Sequence, residues 1–327
     1  MIRDLEQART QQPYRHSLEQ LIQALELEGR PAAQLLASRP CADSRHQTAT
    51  ALKEPVGARA GTDNSFLEIQ LLGPLAVQLG QVPLSLGGEK QCILLAVLAL
   101  RANAWVHRDV LVDTLWEDSP PASALSLIQT YAARLARLLS VAGGPLSSIG
   151  ITRRGSSYSL FAADEQIDLL TFRKLRNAGR DALDLGDAEA ACESYGAALG
   201  LWQSDLLCDI EPLRGSTMVQ FVERQRTATI TEFSDICAEF GWYHRSLPHL
   251  EALVQREPFN EYAQACFIVA LAGLGQQAKA IDVYYQLRNE LDQQLGIDPS
   301  PILTRAYSDI LRGRLTAPSR PHGRTDD

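Results

Sequence analysis

The chain has 327 residues and no apolar run longer than the nine residues 92–100, CILLAVLAL. That is about half of the ~20 needed to cross a bilayer, so the run predicts a buried helical segment and no contact with membrane. The six cysteines (Cys41, Cys92, Cys192, Cys208, Cys237 and Cys266) form no C-x-x-C pair and have no histidines at zinc-ligand spacing. Reduced thiols and no metal are expected. Residues 1–13 contain neither an apolar h-region nor a lipidation signal, which points to the cytoplasm. The phosphate-binding loop, H-E-x-x-H, G-x-S-x-G and the dinucleotide fingerprint are all missing, and "GGEK" at 87–90 lacks both the spacing and the hydroxyl of a phosphate loop. Six histidines lie too far apart to nominate a catalytic base. Neither an enzyme nor a cofactor is expected. The most local absence is of acid: residues 119–163 hold no carboxylate, in a chain of net charge −8.

What is present describes an ordinary globular protein, 45% apolar and 21% charged, with length enough for two domains. Charge is divided between them. Net charge is 0 over residues 1–65, +1 over 66–162, −10 over 163–313 and +1 over the tail. Arg134, Arg137, Arg153 and Arg154 all follow the last carboxylate of the second region, Asp118. A basic surface set apart from an acidic partner domain is what an anionic polymer requires of one half of a protein.

Residues 17–28 place Leu18, Leu21, Ile22 and Leu25 on one face and stop at "GRP", which predicts one short amphipathic helix. Residues 38–64 have no periodicity and read as a flexible linker. "FLEIQLLG", "LAVQLG" and "VPLSLG" predict three short antiparallel strands, and "EKQCILLAVLALRAN" and "HRDVLVDTLWED" predict helices, the second ended by Pro120 and Pro121. A third helix follows in "SALSLIQTYAARLARLLS", and "SSIGITRRGSSYSLFA" alternates like a hairpin around a Gly-containing turn. Three strands, three helices and a terminal hairpin make the topology of a winged helix, whose third helix enters the major groove.

Ile128, Ala132, Leu135 and Leu139 form that helix's core stripe, which turns Ser126, Gln129, Thr130, Ala133, Arg134 and Arg137 outward. A helix entering the negative groove must keep carboxylates off its leading face, while Gln and Arg donate to base edges and phosphates. Arg153 and Arg154 at the hairpin tip are placed for the neighbouring minor groove or its phosphates. Two arginines alone describe a solvated face; the hairpin, the missing acid and the topology together favour DNA. The rival reading is a helical-repeat adaptor whose winged helix binds protein.

In the second half, "LGDAEAACESYGAAL", "FGWYHRSLPHLEALV" and "LGQQAKAIDVYYQLR" align on Gly186, Gly241 and Gly275. Five residues on stand Ala191, Ser246 and Ala280, and nine on stand Tyr195, Leu250 and Tyr284. Small then large at these offsets is the tetratricopeptide pattern, helices that bury their faces only by stacking on neighbours. Trp202, Trp242, Tyr243 and Tyr262 are expected to fill that stack.

"LLGPLAVQLGQVPLSLGGEKQCILLAVLAL", "LVDTLWEDSPPASA", "ITRRGSSYSL" and "LGIDPSP" resemble the Streptomyces antibiotic regulatory protein (SARP) family from about Phe66 to Gly313. The resemblance implies an OmpR-type winged helix followed by an all-helical bacterial transcriptional activation domain, in an activator of secondary-metabolite (antibiotic) gene clusters. Gln129, Tyr131 and Arg134 match common residues of the family's recognition helix, and Arg153 its usual wing arginine. Leu125 and Ala136 stand where many members have Arg, and Ser126 where Asn is common, so no operator sequence carries over. The implied partners are double-stranded promoter DNA carrying direct repeats, RNA polymerase holoenzyme, and a second protomer on DNA. The expected division is an extension over 1–65, an α+β winged helix-turn-helix domain over 66–164, an all-α tetratricopeptide-like domain over 165–313 and a disordered tail over 314–327. The charge break predicts that residues 66–164 fold and bind DNA alone.

Overall fold

The computed structural model describes residues 66–143, 148–315 and 318. The helix expected at 17–28, the linker at 38–64 and most of the tail lie outside the described residues. All described residues belong to one compact unit, Asp63–Asp327. Among them no helix is long and apolar enough to cross a membrane, and no cluster of His, Cys, Asp and Glu could hold a metal ion.

Three strands open the structure as an antiparallel sheet in the order β1 (Leu67–Gln70), β2 (Ala76–Leu79), β3 (Val82–Pro83), with Ile69 opposite Val77. Alternation in β1 buries Leu67 and Ile69 and leaves Glu68 in water. Helix α1 (Glu89–Leu100) is covered along the whole of Ile93–Leu100, which is why its sequence shows no polar face. A two-residue strand β4 (Val106–His107) leads into α2 (Arg108–Trp116), and α3 (Ala124–Gly143) follows. Strands β5 (Gly150–Arg154) and β6 (Ser157–Phe161) form the hairpin and join β4 in a second sheet of order β4-β6-β5. Gly155 makes the turn at a left-handed φ of 58°, which costs glycine nothing.

Seven further α-helices follow among the described residues: α4 (Asp168–Asp184), α5 (Ala188–Gly200), α6 (Thr217–Glu239), α7 (Tyr243–Arg256), α8 (Glu261–Gly273), α9 (Gln277–Glu290) and α10 (Pro301–Leu311). Gly186, Gly241 and Gly275 stand between the members of successive pairs at φ of 77°, 73° and 78°. After each glycine the next N–H reaches back five residues, Asp187 to Ala182, Trp242 to Cys237 and Gln276 to Leu271, at 2.9, 2.7 and 2.9 Å. The same glycine-closed turn thus ends α4, α6 and α8. The aligned small positions Ala191, Ser246 and Ala280 are at most 1% exposed, and the aligned large ones, Tyr195, Leu250 and Tyr284, at most 6%. These three units are equivalent in backbone and in burial.

The charge break at residue 164 is not a break in packing. One continuous core joins the strands, α1–α3 and the hairpin to Ile167, Leu169 and Phe172, and on to Leu206, Leu207, Ile210, Leu213, Val219 and Val222. The residues after β1 are hydrogen-bonded to chain far downstream. Leu71 and Leu72 N–H donate to the Asp168 carboxylate at 2.8–2.9 Å, and Leu75 N–H donates to Asp209 at 2.9 Å. Gln203 and Leu207 N–H return bonds to the Leu72 and Leu71 carbonyls at 2.8 and 3.1 Å.

Burial pushes the Asp168 carboxyl up to about 6, against the pull of the Leu72, Leu71 and Leu169 N–H groups. A raised carboxyl favours the fold most when it is protonated. Its contribution is therefore complete below about pH 4 and is lost as pH rises through about 6. Asp168→Asn, which keeps an acceptor but cannot titrate, should remove roughly 2–3 kcal/mol of that loss between pH 4 and pH 6 in paired urea titrations. Asp168→Ala strands two N–H groups and should cost about 1–3 kcal/mol at pH 7. Parallel pH profiles for wild type and Asn would show that Asp168 titrates normally.

Candidate nucleic-acid interface

The sequence of α3 sorts its side chains by solvent access. Ile128, Ala132, Leu135 and Leu139 are 1, 5, 1 and 0% exposed, whereas Ser126, Gln129, Thr130, Ala133, Arg134 and Arg137 are all exposed. Tyr131 lies between these faces, half-buried, with its ring packed against the core. The Ser126 and Thr130 hydroxyls donate to the carbonyls of Ser123 and Ser126 at 2.8 and 2.9 Å, which leaves their lone pairs outward. The Arg134 and Arg137 guanidinium groups make no hydrogen bond or ion pair among the described residues.

The hairpin stands beside this helix. Gln129, Ala132, Ala133 and Ala136 of α3 face Ile151, Thr152, Arg153 and Tyr158 of the hairpin across a shallow groove. Arg153 and Arg154 are exposed at the tip. Arg153 Nε donates to the Gly155 carbonyl at 2.9 Å, and its guanidinium lies 5.9 Å from the centre of the Tyr158 ring. Seven of the nine residues singled out from the sequence lie on α3 and two on the hairpin. The groove therefore borders both groups.

What the sequence reading missed is the anchorage. Strand β4 pairs Val106 with Tyr158 and His107 with Ser157, and Arg108 N–H donates to the Ser156 carbonyl at 2.8 Å. The hairpin turn is thereby tied to the start of α2. Two strand residues are too few to show alternation; Val106 before the helix start was the only signal. Leu125, 42% exposed, and the half-buried Ala136 stand without charge where arginine is common in the resembling family.

An exposed basic helix face beside an arginine-tipped hairpin, joined to a stack of helix pairs, has the form of a transcriptional regulator. The family model for the bacterial transcriptional activator domain matches residues 167–311. Regulatory protein DnrI of Streptomyces peucetius is 31% identical over 252 residues, 75% of this chain and 92% of that protein. Transcriptional regulatory protein MoaR1 of Mycobacterium tuberculosis is 31% identical over 260 residues, 78% of this chain and 83% of its own. A solved structure of Mycobacterium tuberculosis EmbR, in complex with a low-affinity phosphopeptide, superposes with a TM-score of 0.65 at 29% identity. That likeness covers 76% of this chain and 65% of the EmbR chain. The chain belongs to the SARP family of transcriptional activators. Its relatives are regulators and not enzymes.

Proposed function

We propose that residues 66–164 form an OmpR-type winged helix that binds promoter DNA sequence-specifically, with α3 in the major groove and the hairpin on the neighbouring minor groove or its phosphates. Residues 165–313 then serve as a tetratricopeptide-like activation domain that recruits RNA polymerase, and the regulated genes are a secondary-metabolite cluster. The observation that carries this reading is the acid-free outward face of α3, continuous with the arginine-tipped hairpin across one groove. The three equivalent glycine-closed turns support the repeat assignment. One such module buries roughly 600–1,000 Å² on DNA, little for a specific regulator, so two protomers on adjacent direct repeats are expected. A footprint covering a single half-site at saturation would count against the pair.

The adaptor reading has the same fold but no reason for salt dependence. Phosphate neutralisation releases counterions, so duplex affinity should fall steeply with salt. Arg153→Ala with Arg154→Ala should lower affinity with little change of sequence preference and reduce the salt slope by about one per lost phosphate contact. A double variant with the wild-type slope removes the hairpin from the interface. Absence of duplex binding at low salt would favour the adaptor.

A further inference from the structure

The helical half is strongly acidic, yet three of its arginines, Arg173, Arg176 and Arg180, share one face of α4. That face reaches across to α6. Arg173 Nε donates to Gln225 Oε1 at 3.3 Å, and Arg180 grips Glu232 through Nε and Nη2 at 3.2 and 2.7 Å. Between these rungs α6 offers only Ala228 and Thr229, and the Thr229 hydroxyl is committed to the Gln225 carbonyl at 2.8 Å. Arg176 has no hydrogen-bonding counterpart there: its buried Nε has no hydrogen-bond partner among the described residues, and Glu232 acts on it only through space. Glu232 already accepts from Arg180 twice and from the Tyr195 hydroxyl at 3.0 Å. Burial first, and a neighbouring guanidinium second, lower the pKa of Arg173 and of Arg176, and at Arg176 Glu232 offsets this only in part.

The arginine row thus carries more cation than α6 answers by hydrogen bonds, and Phe221 adds an apolar neighbour. This side chain is 52% exposed and sits one turn before Gln225 on α6. The turn of about 5.4 Å is close to the ~6.6 Å between alternate side chains of an extended chain. We propose that the groove between α4 and α6 binds an acidic peptide segment of a partner protein, a carboxylate seated between Arg173 and Arg176 and a neighbouring apolar side chain on Phe221. Paired guanidinium forks suit a carboxylate, and the Gln225 amide adds an N–H donor. Duplex DNA is disfavoured because Arg173 and Arg176 are half-buried against α6, a recess that an extended peptide enters more readily than a rigid duplex. The site uses none of the residues assigned to DNA, so it stands or falls apart from that reading.

The test is an NMR titration of arginine Nε–Hε signals in the full chain. The probes are an amidated octapeptide alternating Glu and Leu, its Gln counterpart, inorganic phosphate and a 16-base-pair duplex. The Glu peptide should move the Arg173 and Arg176 signals and leave that of Arg305, an exposed reference on α10, in place; the Gln peptide should move none. Arg176→Gln should weaken the Glu peptide roughly tenfold or more. Arg173→Lys, which keeps the charge but loses the fork, should weaken it less and keeps the test open if the first variant does not fold. Equal movement at Arg305, movement with phosphate or duplex but not with the peptide, or no movement at all would overturn the proposal.

Discussion

Residues 66–164 alone are expected to lose cooperative folding. In the full chain Leu67, Ile69, Leu71 and Leu72 are 0–1% exposed, and Ile167, Leu169, Phe172, Leu206, Leu207, Ile210 and Leu213 of the same core all lie beyond the cut. Re-exposing a buried Leu or Ile costs about 1.5–3 kcal/mol, so several together rival the roughly 5–15 kcal/mol that holds a whole domain. The cut also leaves the N–H groups of Leu71, Leu72 and Leu75 without the Asp168 and Asp209 acceptors. The fragment should show weak near-ultraviolet dichroism and a broad urea transition displaced far below that of the full chain. A sharp transition at the full-chain midpoint would mean that the downstream segment contributes no stability to the sheet. If the fragment fails as expected, the proposed DNA-contacting surface and the proposed activation surface share one folding unit, and a load on one is felt by the other.

The sequence and the packing disagree at residue 164 for a physical reason. Charge reports what each surface faces, and the surface does change sign there. Packing is set by who covers the first sheet. The covering segment, LWQSDLLCDI at 201–210, has neither helical nor strand periodicity, so nothing in it announces a core role. Asp168 is equally silent: an acid in the first turn of a helix reads as a dipole partner, and its bonds to N–H groups 96 and 97 residues upstream are not local information. Periodicity succeeded where one face is wet. The stripe Ile128, Ala132, Leu135 and Leu139 was legible and is buried, and so were the three aligned glycines, whose left-handed turns only glycine makes without strain. Tyr131 was named by resemblance alone; at the edge of the core stripe it packs inward. The arginine row of α4 was countable in the sequence, but only the geometry of α6 shows the Nε of its middle member without a hydrogen-bond partner among the described residues.

Arg134→Glu should abolish specific DNA binding while leaving the fold intact. Arg134 lies midway along α3, is exposed, and is bonded to nothing among the described residues, so its replacement breaks no intramolecular contact. Glutamate is as good a helix former as arginine. Unfolding should therefore move by no more than about 0.5 kcal/mol, the range of an isolated surface substitution. Binding is another matter. Losing an arginine that reads a base edge costs about 1–3 kcal/mol, and the new carboxylate places negative charge inside a groove whose walls are phosphates. The two effects act in the same direction, and a loss of affinity of about 100-fold or more is expected. Arg134→Ala, which removes the contact without adding repulsion, should fall between wild type and Glu and relax preference at one base pair. Competition binding on a fixed promoter duplex at constant salt measures all three proteins together. Wild-type affinity in Arg134→Glu would show that this face of α3 does not meet DNA and would return the adaptor reading to first place.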